Sequence, residues 1–344
     1  MKNPEPATPA TIDDVAERAG VHRATVSRAL RGVAGKVSPA KRAEIERIAA
    51  ELGYRPNAVA ASLRTKQSDI AAVVVPDLSN PLFAPIVQGL EAELGRQSFL
   101  CLVAQTPAAP EARRGLVHAL AARQVAGLLI LAAESDDPML AAALERGLPT
   151  VLVNRGLGER RFSSVVNDDR ESVRLVLEHL RGLGHRRVAH LAGPQGSSTG
   201  RARRDAFVEL AREYGFQEAS VVECDAFTRA AGPASAHSLL ARREKRPTAI
   251  FAANDLIAIG ALDVLRAAGL EVPRDVSLVG HNDMPFADLV SPPLTTVKVA
   301  VEQMSRHAAQ LFVEQLRDPA VPPSTRLLMP SFVVRGSTAR LNGA

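Results

Sequence analysis

Arg23, Ala24, Ser27 and Arg28 fall on one side of a short stretch of helical periodicity, and side chains of these types can read a DNA duplex. A guanidinium pairs bidentately with the edge of guanine, and a small hydroxyl side chain donates to phosphate. That chemistry needs a helix braced from behind. The segment Thr11 to Leu30, TIDDVAERAGVHRATVSRAL, supplies two. Thr11 followed by Asp14 is a capping pair, and Asp13 and Asp14 sit at the positive end of the first helix. Ile12, Val15, Ala16 and Ala19 give that helix one apolar face, Gly20 permits a turn, and Val21, Val26, Ala29 and Leu30 give the second its own. Arg23, Ala24, Ser27, Arg28 and Arg31 are left facing outward, an arrangement suited to the major groove.

A second spacing with chemical potential is Gly196-Ser197-Ser198-Thr199-Gly200, which fits GxSxG, with His281 and His307 downstream. A nucleophile elbow requires its serine at the sharp turn directly after a strand. Here Gly193 to Ser197 intervene and make a loop, so hydrolysis is disfavoured. The chain contains no HExxH, Walker or dinucleotide motif, and no cofactor or metal is implied.

The elements that position the outward arginines continue past Leu30. Ser38-Pro39 caps and opens a third helix running to about Leu52 and stopping at Gly53. Pro56 closes this unit and Asn57 caps the short segment Val59 to Leu63, too short to be stable alone as a helix. Residues 1–67 hold twelve Lys and Arg against seven Asp and Glu, while the remainder is balanced, so the net charge of +5 lies in the N-terminal fifth. A basic head on a neutral body suits a nucleic-acid partner.

AGVHRATVSRAL, SPAKRAEIERIAAELGYRPN and VAASLRTKQS, in this order and spacing, resemble the lactose-repressor family of bacterial transcription regulators. The resemblance implies that residues 57–67 are a hinge helix folding only on operator DNA, with Leu63 wedged between base pairs in the minor groove and Arg64 beside it. Such a wedge costs a few kcal/mol of unstacking, offset by contacts to the bent duplex. Arg23, Ala24 and Arg28 then face base edges, and Thr25, Ser27 and Asn57 face phosphates. His22 stands where the family usually has a serine-type cap, so it is either a weaker cap or a phosphate contact.

From Ser68 onward apolar strands alternate with helical runs. Expected strands are Ile70 to Pro76, Phe99 to Gln105, Val125 to Ala132, Thr150 to Asn154, Ser164 to Asn167, Arg187 to Ala192, Val221 to Asp225, Ala249 to Ala253 and Ser277 to Gly280, with helices such as Pro81 to Arg96 and Glu171 to Gly182 between them. Strands of this kind form parallel sheets covered on both faces. PDLSNPLFAPIVQGLE, AGPQGSSTGRARRDAF, FAANDLIAIGAL, SLVGHNDMPFAD and SPPLTTVKV resemble the periplasmic-binding-protein type I fold of that family. The expected architecture is a disordered tail (1–10), a helix-turn-helix head (11–56), a hinge (57–67) and an α/β core of two doubly wound parallel-sheet subdomains. These comprise about 68–165 with 299–327, and 166–298 with 328–340, crossing near 165, 298 and 328.

Ligands in such sheets collect at the carboxyl ends of strands. Carried over one by one, the pocket positions are Asp77, Asn80, Phe83, Asn154, Arg155, Arg201, Phe251, Asn254 and Asn282, with Asn80 before Pro81 also readable as a helix cap. Sugar-binding relatives frequently carry aspartate where Asn154 and Asn282 stand, and a polar residue near Val299. With Arg155 and Arg201 kept, the balance leans towards a sugar acid or sugar phosphate over a neutral sugar.

These readings make the chain an effector-controlled regulator, most readily a repressor. It is expected to act as a homodimer on a pseudo-palindromic operator, with a dimer seam about the Pro81 to Leu94 helix. The ending SFVVRGSTARLNGA carries no leucine heptad, so no tetramer is expected. The polar start MKNPEPATPATIDD shows no export signal, and apolar runs such as Val125 to Ala133 are too short to cross a bilayer. Cys101 and Cys224 offer no disulfide framework and read as buried thiols in a reducing cytoplasm. A solute-binding role in transport is disfavoured by the attached head.

Overall fold

The computed structural model describes residues 10–30, 36–54, 68–134, 136–157, 161–241 and 246–341, in two units that divide at Ser68. The first unit holds α1 (Ile12–Arg18), α2 (Arg23–Leu30) and α3 (Pro39–Glu51). Thr11 and Asp14 form a reciprocal capping box on α1. Gly20 takes a φ of +62° in the turn that follows, a conformation in which a side chain would be strained. Ser38 accepts from the Lys41 N–H to cap α3. Val15, Val26 and Ile45, one from each helix, are fully buried together and bind the three into one small core. Lys41 Nζ donates to the Ala19 carbonyl at 2.8 Å, anchoring α3 to the end of α1.

The second unit opens with β1 (Ile70–Val75), α4 (Phe83–Gly95), β2 (Leu100–Gln105), α5 (Pro110–Ala122), β3 (Gly127–Leu131), α6 (Pro138–Glu145), β4 (Thr150–Asn154) and β5 (Ser163–Asn167). It continues with α7 (Asp169–Gly182), β6 (Arg187–Ala192), α8 (Ser198–Glu213), β7 (Glu218–Glu223), α9 (Ala231–Leu240), β8 (Ala249–Ala252), α10 (Asp255–Ala267), β9 (Ser277–Asn282) and β10 (Thr295–Lys298). α11 (Val301–Arg317), β11 (Thr325–Leu328) and β12 (Ser331–Val333) complete it.

Two six-stranded sheets result, ordered β11-β5-β4-β3-β1-β2 and β12-β10-β9-β8-β6-β7. The orders correspond position by position: β4 occupies in one sheet the place of β9 in the other. All pairings are parallel except β10 with β12. Alternation along the strands sends side chains to opposite faces, so Ala71, Val73 and Val75 join one apolar cluster while Ala72 and Val74 join another. In the second sheet Ile250 and Ala252 part from Ala249 and Phe251 in the same way. The chain passes between sheets after β5, after β10 and between β11 and β12.

The structure departs from the expected strands in two respects. The seventh begins earlier, at Glu218, because an edge strand tolerates the exposed polar residues that hide it from a search for apolar runs. β10, β11 and β12 are only three or four residues long and were not among the expected strands. Cys224 is buried as expected, but Cys101 is only half-buried, since β2 is an edge strand.

Candidate nucleic-acid interface and ligand cleft

In the head, α2 turns Val26 and Ala29 inward and leaves Arg23 and Arg28 exposed, with Ala24, Thr25 and Ser27 half-buried beside them. Elsewhere in the head, Arg18 and Arg47 both meet Glu51, and Lys41 meets Glu44. Arg23 and Arg28 form no ion pair among the described residues, which keeps two guanidinium groups available on one helical face. His22 caps α2: the Ala24 N–H donates to its Nδ1 at 3.2 Å, so the ring accepts where a serine hydroxyl would. Asn57, Leu63 and Arg64 lie outside the described residues, as does Arg31.

In the core, Asn154 and Asn282 end β4 and β9, the corresponding strands of the two sheets. Both take positive φ, 71° and 113°, in a region asparagine enters more readily than most residues. Asn167 Nδ2 donates to Asn154 Oδ1 at 3.4 Å, and His281 Nδ1 lies 3.0 Å from Asn282 Oδ1. Arg155 follows Asn154, donates to the Ala132 carbonyl at 3.2 Å, and stacks its guanidinium 4.9 Å from the centre of the Phe227 ring. Burial, with Arg203 alongside, lowers the Arg155 pKa to about 10. A cavity of about 310 Å³ opens here, lined by Asn154, Arg155, Asn167, Asp169, Ser198 and Thr199 among others.

Arg203, absent from the residues read out of the sequence, is the most deeply set cation of this region at 3% exposure. Its Nε donates to Asp169 Oδ1 at 2.7 Å and its Nη1 to the Ala253 carbonyl at 2.6 Å, joining α8, α7 and the end of β8. Arg201, two residues earlier, donates to the Gln195 carbonyl at 2.7 Å. Phe83 opens α4 and Phe251 lies on β8. Both are buried in apolar clusters, Phe251 stacking on His190, and the aromatic face beside Arg155 belongs to Phe227. Gly193 stands against that ring, where a Cβ would collide with it.

The remaining positions make local bonds. Asp77 accepts from the Ser79 N–H and hydroxyl, and Asn80 accepts from the Leu82 N–H in the turn before α4, whose N-cap, Leu82, has no side-chain capping bond. Asn254 caps α10 through the Ile257 N–H and donates to the Phe227 carbonyl at 3.0 Å, which fixes the loop carrying the ring. The GxSxG segment is a helix cap: Ser197 Oγ accepts from the Gly200 N–H and donates to the Pro194 carbonyl. Among the described residues no group of three or more His, Cys, Asp and Glu could hold a metal ion, and no helix is long and apolar enough to cross a membrane.

Two imidazoles in the middle of the second sheet are fully buried. Burial lowers the His190 pKa to about 3 and holds His281 well below its ordinary value. Unfolding exposes both, so the unfolded chain takes up protons below pH about 6.5 that the native state refuses. Stability is therefore expected to fall as pH drops from about 6.5 towards 4, by up to about 1.4 kcal/mol per pH unit for each imidazole. Asp255, its pKa raised to about 7 by burial, works in the opposite sense by favouring the native state at low pH. Urea denaturation at pH 7 and 5 of wild type and His190→Gln isolates the imidazole contribution, which is absent if both lose equal stability.

Residues 11–57 match the family described as bacterial regulatory proteins, lacI family, and residues 177–338 match the periplasmic binding protein-like domain. The chain is 36% identical over 338 residues to the HTH-type transcriptional regulator CelR of Thermobifida fusca, covering 95% of this chain and 98% of that protein. A solved CelR–cellobiose complex superposes with a TM-score of 0.73 at 34% identity, covering 95% of this chain and 99% of the other. The lac repressor dimer bound to operator and the anti-inducer ONPF superposes with a TM-score of 0.85 at 30% identity, covering 96% and 100%.

Proposed function

Since the chain belongs to the lacI family of bacterial regulatory proteins and is a DNA-binding transcriptional regulator rather than an enzyme, we propose that it represses transcription as a homodimer under the control of a sugar-class effector held in the core cleft. The observation that carries the reading is a cavity lined by Asn154 and Arg155 at the end of β4 and by Ser198 and Thr199 of α8, with Asn282 ending β9, the strand that corresponds to β4 in the other sheet. A ligand meeting both halves of the core changes their relative placement. Through residues 57–67, acting as a hinge, this alters how two heads engage a palindrome. A coupling of about 1–3 kcal/mol shifts operator affinity roughly 5- to 150-fold.

The proposed reading surface is Arg23, Ala24 and Arg28 against base edges, with His22, Thr25, Ser27, Asn57 and Arg64 on the backbone. The effector set is Asn154, Arg155, Asn282, Arg203 and Phe227, supported by Asn254. Dimerisation is supported by apolar side chains left exposed on the first sheet's edge strand and the loop after β9: Leu100, Val103, Phe286 and Leu289. The relatives' own states are a lac repressor dimer on operator and a CelR bound to cellobiose.

The test is operator selection from a random duplex pool, followed by anisotropy titration with and without sugars, cellobiose first. A palindrome bound by two chains and shifted in affinity by a sugar is the expected result; a site bound by one chain, or affinity unmoved by every sugar, removes the corresponding part of the reading. On the selected operator, Arg28→Ala is expected to cost about 1–3 kcal/mol and relax preference at one base pair. Equal losses on operator and random duplex would take Arg28 out of direct readout.

A further inference from the structure

We propose that the effector is a polyhydroxy acid, its carboxylate against Arg155 and the first turn of α8 and its hydroxyls towards Asn167. This rests on reading the core cleft as the effector site, and it follows from which groups around the cavity still lack partners.

The carboxylates there are engaged. Asp168 Oδ1 accepts from the Glu171 N–H and caps α7, while Asp169 Oδ1 accepts from Arg203. Arg170, also on the lining, is spent on a bidentate pair with Glu209. Further out, Asp77 is held by Ser79 and Asp283 by Arg335.

Arg155 differs. It forms no ion pair among the described residues, its Nε is buried without a hydrogen-bond partner, and its flat face is covered by Phe227. A guanidinium so placed keeps its edge for an incoming acceptor, and a forked oxoanion is the acceptor it matches. The first turn of α8 lines the same cavity. It carries no acidic residue, and the hydroxyls of Ser198 and Thr199 make no hydrogen bond among the described residues. A sixteen-residue helix with an uncompensated positive end adds to the preference for negative charge.

The opposite requirement comes from Asn167. Its side chain is buried at the cavity wall, and its Oδ1 has no donor. That oxygen accepts from any donor brought to it, which a simple carboxylate lacks and a polyol supplies. One cavity thus asks for an oxoanion and a hydroxyl together. A neutral sugar satisfies Asn167 and leaves Arg155 unpaired; an aldonic or uronic acid satisfies both.

Calorimetric titration of the full chain with matched pairs tests this: glucose with gluconate and glucuronate, ribose with ribonate, cellobiose with cellobionate. The expected result is that within at least one pair the acid binds roughly 10-fold or more tightly than its parent sugar. Arg155→Gln should then weaken the acid by roughly 10- to 100-fold and the parent far less, so that the preference within the pair is lost. Ser198→Asp should act in the same direction, although an acid in the first turn favours the helix itself, so its loss of binding is not a loss of fold. A parent sugar that binds as tightly as its acid, or acid binding indifferent to both variants, overturns the inference and leaves the cleft a sugar site. Silence across every pair overturns the inference and the sugar-class reading beneath it.

Discussion

Arg203→Ala is expected to lower the stability of the core by about 3–5 kcal/mol, the scale set by removing one partner of a buried ion pair. The reason is the state of what stays behind. Asp169 loses a charge-assisted bond of 2.7 Å, and the Ala253 carbonyl loses one of 2.6 Å, in a place where the arginine itself is 3% exposed. Burial already raises the Asp169 pKa, and Arg203 is the principal influence holding it down. Without that cation the carboxyl must either stay charged and unpaired or take up a proton. Urea denaturation of Arg203→Ala, Asp169→Ala and the double variant measures this. The double variant should recover part of the loss, since no orphaned carboxylate remains. Arg170→Ala, which breaks the solvent-exposed pair with Glu209, should barely move the midpoint. If Arg203→Ala behaves like Arg170→Ala, the buried pair does not hold α7 to α8.

The second large effect is expected at Leu63. If residues 57–67 form a hinge helix on DNA with Leu63 as the minor-groove wedge, Leu63→Gly leaves the head with its reading helix but without the kink that lets both heads dock. Glycine also weakens an already short helix. Operator affinity should then fall towards that for random duplex, on the order of 10³-fold or more. The unfolding transition and effector binding of the core should remain at wild-type values. A gel-phasing assay reads the bend directly: a variant that bends operator as wild type does would exclude the wedge.

Legibility in the sequence followed locality. Thr11 with Asp14, and Ser38 before Pro39, announce helices through near neighbours, and the observed caps join Thr11 to Asp14 and Ser38 to Lys41. β4 and β6 have the ends their apolar runs predict. The burial of Arg203 is a matter of which way a helix faces. The signal was present: Arg203 stands in register with Ala206, Phe207 and Leu210, the buried stripe of α8, whereas Arg201 does not. A charged residue on an apolar stripe reads at first as an interruption, though when paired it marks the inside. Phe227 lies in a loop with no periodicity, whereas Phe251 lies in the apolar run of β8, so nothing local marks Phe227 as a partner for Arg155. Its place beside Arg155 comes from the long-range contacts of Asn254 and Gly193.

The late return of the chain to the first sheet also sets an order of events during synthesis. Sheet one lacks its edge strand β11, and its apolar cluster lacks Met304, Ala308 and Phe312, until residues 304–328 have left the ribosome. The head needs nothing beyond its own three helices. At about 5–20 residues per second, it has on the order of 15–60 s as a folded appendage of an unfinished body. For that interval the newborn chain carries two exposed arginines on α2 and no completed cleft to govern them. Control by a small molecule thus begins only once residues 304–328 have joined the core, and a ribosome stalled before them would leave a head that no effector can address.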